Sequence, residues 1–258
     1  MKPLWRWTIG YRNFDGFETQ SRAFEMLKLS VKMALRIYKD EFDYVICYNN
    51  LSDERIKWIE QLGVPILHQG EYQQIHTFWK FVPSRLRIKS HELFVDNDLI
   101  LEKRIPQLDE FLQDQTSFLI TEGRNRCYGL FLNRIPSNLQ LNAGFLGIPP
   151  NVKIGNLIQE KLNEVGVNMT CTRPRDEQGL LAHIVSSRKF IKIPLSEVST
   201  IYSEQILQWP ENSTGWLIIP PIPPSHPPGR CGSHFVGANY ADVHYGWDRY
   251  KRRYLLYI

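Results

Sequence analysis

His91-Glu92-Leu93-Phe94-Val95-Asp96-Asn97-Asp98 is the stretch on which the fold turns. Its apolar centre has strand length, as a buried parallel strand should, and it ends abruptly in two carboxylates. In open α/β sheets, ligands gather outside the carboxyl ends of the strands. Asp96 and Asp98, one residue apart, can therefore present oxygen ligands to one hard cation, with substrate phosphates completing its shell. The alternative is a plain Asp/Asn turn after the strand. A calcium-binding loop counted from Asp96 is a poorer alternative, because it needs glycine where Leu101 stands and glutamate where Gln107 stands.

Strands and helices alternate on both sides of this segment. Leu4–Gly10 reads as a first strand and Tyr11–Gly16 as a loop. Phe24, Leu27, Val31, Leu35 and Tyr38 recur at helical spacing, which predicts a helix over Ser21–Tyr38. Tyr44–Tyr48 reads as a strand, Ser52 as the cap of a helix ending at Gly63, and Val64–Leu67 as a further strand. Downstream, Ile105–Phe111 predicts a helix and Ser117–Ile120 a strand. Asn142–Ile148 predicts a strand, and Lys153–Val165 and Glu177–Ser187 predict helices. This order implies an α/β class, one Rossmann-type domain with a mostly parallel central sheet flanked by helices. Pro220–Gly229, with six prolines among ten residues, cannot be a regular element and reads as a stiff loop within that domain.

The 258 residues are 43% apolar and 22% charged, an ordinary globular balance for which no disulfide or metal staple is required. Cys47, Cys127, Cys171 and Cys231 are widely spaced and form no Cys-x-x-Cys pair; they read as reduced thiols of a cytosolic protein. No signal peptide and no apolar run of spanning length is read. A net charge of +4 is too mild to imply a nucleic-acid partner. Arg249, Lys251, Arg252 and Arg253, interleaved with Trp247, Tyr250, Tyr254 and Tyr257, suit either peripheral contact with an anionic membrane face or a solvated last helix.

The stretch from Pro83-Ser84-Arg85-Leu86-Arg87 through Asp96-Asn97-Asp98-Leu99-Ile100-Leu101 resembles the metal-binding segment of GT-A-fold glycosyltransferases, in particular the glycogenin and lipopolysaccharide galactosyltransferase family. Asn142-Ala143-Gly144 looks like that family's donor-sugar segment. Asp176-Glu177-Gln178 resembles its acidic-and-glutamine segment near the reacting carbon, and His234-Phe235-Val236-Gly237 resembles its C-terminal His-x-x-Gly motif. The resemblance departs after Gly237, where a phosphate-binding lysine and a Pro-Trp pair are replaced by Tyr240, Ala241 and Asp242. It implies a hexosyltransferase that uses manganese or magnesium and a UDP-sugar donor, with a glycan, lipid or protein acceptor left open. Residues 1–120 would form the nucleotide-binding half and 121–258 the acceptor side.

On this reading Asp96, Asp98 and His234 are the metal ligands, His234 because a neutral imidazole suits manganese-type cations. His226 and His244 are weaker candidates, while His68, His76, His91 and His183 read as structural. Thr8, Tyr11, Arg85, Asp96, Asn97, Asn142, Ala143, Gly144 and Gly237 are candidate donor contacts. Tyr11 would stack on the base, Arg85 would reach the diphosphate, and the Asn142 amide would orient sugar hydroxyls. Arg87 is a second candidate for the diphosphate. Asp176, Glu177 and Gln178 are candidate catalytic residues, although Asp176 is also a natural helix N-cap. Glu122–Arg126 would line the acceptor side. Two other readings compete: a sugar-phosphate nucleotidyltransferase, disfavoured by the single glycine in Tyr11–Phe17, and a non-catalytic nucleotide-sugar-binding domain.

Overall fold

The computed structural model of the chain describes residues 1–10, 21–70, 80–167, 174–202 and 231–236. Tyr11, Gly237, the Pro220–Gly229 stretch, His226, His244 and the basic aromatic C-terminus lie outside the described residues.

The seven-stranded central sheet is built from β1 (Leu4–Gly10), β2 (Asp43–Asn49), β3 (Ile66–His68), β4 (Glu92–Asp96), β6 (Phe118–Glu122), β7 (Leu141–Ile148) and β8 (Phe190–Ile193), in the order β3-β2-β1-β4-β7-β6-β8. The β1–β2, β2–β3, β1–β4 and β6–β8 pairs are parallel, and among the described residues β7 alone runs antiparallel to its neighbours in this sheet, β4 and β6. Every residue of β7 is buried, as expected of a strand covered on both faces. The expected mostly parallel α/β domain is the fold observed.

Helices α1 (Ser21–Tyr38), α2 (Asp53–Glu60), α3 (Pro106–Gln113), α4 (Ile154–Glu164) and α5 (Pro174–Ser186) flank the sheet. The apolar stripe of α1 packs on Trp5, Trp7 and Ile46 in one core, and a second core joins Phe94, Ile120 and Leu146 to α4 and α5. Within the first, the Trp7 indole N–H donates to Ser30 Oγ at 2.9 Å, and Ser30 donates to the Leu99 carbonyl at 2.6 Å. A buried indole of this kind needs such a partner.

Boundaries differ from expectation where backbone donors decide them. Pro65 has no N–H, so β3 starts at Ile66, two residues later than expected, and runs to His68, while the Pro65 carbonyl still accepts from Ile46 N. Helix α2 is capped by Ser52 but stops at Glu60; Gly63, with φ 71°, belongs to the turn beyond. Helix α5 begins at Pro174, so Asp176 lies inside its first turn and is not the N-cap. A second sheet, in the order β5-β10-β9, consists of β5 (Leu99–Leu101), β9 (Val198–Tyr202) and β10 (Gly232–Val236). None of its strands is apparent in the sequence pattern.

Candidate metal centre and active site

Two pairings bring the candidate metal ligands together. Asp96 is the last residue of β4, in register with Thr8 of β1 at the carboxyl end of the sheet. Two residues on, Asp98 precedes β5, and β10 lies antiparallel against β5 with His234 opposite Leu99. The second sheet thus carries a residue from the far end of the chain back to the acidic turn. His234 Nε2 lies 3.1 Å from Asp98 Oδ1 and 3.6 Å from Asp96 Oδ2. One ligand atom from each residue can be chosen so that all lie within 4.8 Å of one another. Ligands around one cation at about 2.0–2.4 Å span the same range, so two carboxylates and an imidazole fit a manganese- or magnesium-type ion.

Asp98 and His234 are buried while Asp96 is partly open. Burial alone would lower the His234 pKa, but the Asp98 and Asp96 carboxylates outweigh it and raise it above the ordinary 6.5. Gly144 supplies the room for this ring. A Cβ there would lie 2.1 Å from His234 Cε1, so no other residue fits without displacing the imidazole.

Lys80 is a member of this centre that sequence reading missed. Its buried ammonium donates to Asp96 Oδ1 at 3.2 Å and pairs with Glu177 in the first turn of α5. Desolvation pulls its pKa down, but the Asp96 and Glu177 carboxylates more than reverse this, and Lys80 stays charged. The available signal was a lysine set among aromatics in Phe78-Trp79-Lys80-Phe81, a setting that leaves an ammonium in need of carboxylates.

The acidic segment of α5 divides its tasks. Asp176, 1% exposed, accepts from the Leu130 N–H at 2.9 Å and anchors the 3-10 turn Gly129–Arg134. Glu177 faces Lys80. Gln178 is half-buried; it accepts from the Asn142 amide at 3.1 Å and donates to the Cys127 carbonyl at 3.2 Å. Asn142 in turn accepts from Gly144 N at 2.8 Å, which ties the seat of His234 to Gln178. Ala143 lies between them in the strand and its methyl packs in the second core, so only its backbone is available to a ligand. Asn97 donates to the Ala23 carbonyl of α1 at 3.2 Å and braces the acidic turn.

Arg85 requires a correction as a diphosphate contact. It sits beside Glu92, at the opposite end of β4 from Asp96, and its guanidinium donates to Glu92, Pro149 O, Val152 O, Arg87 O and Ser90 O. Glu92, fully buried, also accepts from Arg6 and from the backbone N–H groups of Leu86 and Arg87. Arg85 therefore neutralises a carboxylate inside the fold. Arg87, paired with Asp43, lies at that same end. On the candidate acceptor side, Glu122 is held by Lys192, and Arg126 by the Leu132 and Ile135 carbonyls.

No family model and no curated protein sequence matches the chain. Solved structures do. The galactosyltransferase LgtC, in complex with donor and acceptor sugar analogues, superposes with a TM-score of 0.57 at 12% identity, covering 98% of this chain and 95% of that one. The bifunctional glycosyltransferase WbbM gives 0.53 at 13% identity over 79% of this chain and 40% of that one. The glycosyltransferase GlyE of Streptococcus pneumoniae TIGR4 gives 0.47 at 17% identity over 76% of this chain, which spans only 46% of GlyE. The LgtC likeness shows a GT-A-like fold, and in this chain that fold carries a candidate carboxylate–histidine metal centre.

Proposed function

We propose that the chain is a metal-dependent glycosyltransferase that moves a hexose from a nucleotide diphosphate sugar, a UDP-sugar, to a glycan, lipid or protein acceptor. The observation that carries this reading is the convergence of Asp96, Asp98 and His234 at the carboxyl end of the sheet in a GT-A-like fold. A bound manganese or magnesium ion would supply Lewis-acid neutralisation of the leaving diphosphate. Asp96, Asp98 and His234 would hold it. Thr8, two residues before the end of β1 and in register with Asp96, would face the nucleotide, as would Tyr11 and Gly237.

The hexose would lie over Asn142, Gly144 and Gln178, whose linked amides offer both donors and acceptors to sugar hydroxyls. Glu177 and Gln178 are the groups of the α5 segment that would line the reacting face. Asp176, committed to Leu130, would position them from behind. The family resemblance favours retention of anomeric configuration, with Gln178 on the reacting face. A cytoplasmic enzyme whose basic aromatic C-terminus touches a membrane face is consistent with this assignment.

Release of UDP from a panel of UDP-sugars, with and without manganese, tests the proposal in the wild type and in Asp98→Ala. Manganese-dependent release that Asp98→Ala reduces by about 100-fold or more is expected, since a lost ligand removes transition-state charge stabilisation. Equal turnover in the variant would overturn the metal centre. Donor binding with no UDP release from any sugar, with or without acceptors, would leave a binding domain instead.

A further inference from the structure

Lys80 stands between the two halves of the site. The Asp96 carboxylate is shared: Oδ1 accepts from the ammonium at 3.2 Å, while Oδ2 turns to His234 Nε2 at 3.6 Å. The same ammonium pairs with Glu177, so one side chain joins a candidate metal ligand on β4 to the first turn of α5. Its own side chain is 10% exposed and that of Glu177 7%. Charges so placed feel one another far more strongly than they would in water.

We propose that Lys80 is a positioning residue that presents one Asp96 oxygen to the cation while its charge weakens cation binding, so that tight binding requires the donor's phosphates. The inference rests on the metal-centre reading above. Locking a carboxylate through its outer oxygen fixes which oxygen a metal receives, as supporting hydrogen bonds commonly do for metal ligands. The ammonium also competes for the charge of Asp96 and repels any divalent ion beside it. Two phosphates of a nucleotide diphosphate bring the negative charge that offsets this repulsion. Binding of cation and nucleotide is then mutually reinforcing, and by linkage each strengthens the other by the same factor. Glu177 sets the balance, because it draws the ammonium away from Asp96.

Manganese binding to the full chain, followed by the loss of the free-ion electron paramagnetic resonance signal with and without UDP, tests this. In the wild type, UDP is expected to tighten manganese binding by about tenfold or more. Lys80→Met should bind manganese alone at least about fivefold more tightly, with a smaller gain from UDP, and Lys80→Arg should restore the wild-type pattern. Glu177→Gln should move the opposite way and weaken manganese binding several-fold, as expected when a nearby carboxylate is lost. A lysine that merely stabilised the fold would shift neither affinity. Unchanged or weaker manganese binding by Lys80→Met would overturn the proposal. So would tighter binding by Glu177→Gln, a variant that serves even where Lys80→Met does not fold. Asp98→Ala separates the two readings: if it still binds manganese as the wild type does, the metal centre itself is wrong. If it loses the ion while Lys80→Met and Glu177→Gln match the wild type, only the role of Lys80 fails.

Discussion

Gly144 and His234 fit together as seat and ring: the imidazole occupies the volume that a side chain at position 144 would take, down to 2.1 Å from a built Cβ. The glycine lies on β7 and the histidine on β10, in different sheets, so the contact also sets how the second sheet meets the first. Gly144→Ala should push His234 off Asp98. Manganese affinity should fall by about 10- to 100-fold, the range typical of lost support around a metal ligand, and stability by about 1–3 kcal/mol from overpacking. Calorimetric titration beside a thermal melt checks both. Unchanged affinity would mean that His234 is not a ligand.

Asn142 links that seat to α5, and its removal should be felt on both sides. Asn142→Ala leaves the buried Gly144 N–H without its acceptor and the Gln178 carbonyl without its donor. A cost of about 1–3 kcal/mol in urea unfolding is expected from the stranded donor. Donor turnover should fall mainly in kcat if Gln178 acts on the reacting face, whereas a change confined to KM would show that Asn142 only binds the sugar.

The opposite end of β4 should behave as structure alone. Glu92 is fully buried and held by both Arg6 and Arg85, so Arg85→Met leaves its charge only partly compensated. Loss of about 3–5 kcal/mol of stability is expected, as for other broken buried ion pairs. Manganese and UDP affinities of the folded fraction should stay within about twofold, because independent sites add. A selective loss of UDP affinity would return Arg85 to the diphosphate.

How much was legible follows from which interactions are local. β1 and α1 carry their periods in contiguous residues, and the sequence reading bounds both as observed, Leu4–Gly10 and Ser21–Tyr38. Asp96, Asp98 and His234 were readable because a strand end and a motif resemblance mark them. Lys80 was not, because its partners Asp96 and Glu177 lie on elements that only the fold brings together. Arg85 was misread for the complementary reason: its sequence neighbours resemble a known segment, but its partner Glu92 looked like one more residue of a buried strand. A carboxylate at a position predicted to be buried implies a counter-charge nearby, and that inference would have pointed to Arg85. The strands β5, β9 and β10 are short and without alternation, and their pairing is set by one another.

The acid limb of stability should carry the signature of His91. This residue is buried against Phe111, with ring centroids 4.7 Å apart, and its Nε2 lies 2.8 Å from the Asp114 carbonyl. Burial lowers its pKa below the ordinary 6.5, and the carbonyl contact offsets this only in part. In the unfolded chain the imidazole titrates near its ordinary value. As the pH falls below about 6.5, the unfolded state therefore takes up the proton first and gains relative to the folded state. The contribution of neutral His91 is fully present above 6.5 and is lost progressively as the pH falls through the lower folded value. His91→Gln removes this titration. Urea unfolding from pH 7.5 down to pH 5 should show the wild type losing more stability than the variant, by about 1.4 kcal/mol for each pH unit over which only the unfolded imidazole is protonated. His234 is common to both proteins and cancels in the difference. Parallel stability curves for the two proteins would show that His91 is protonated as readily in the fold as outside it.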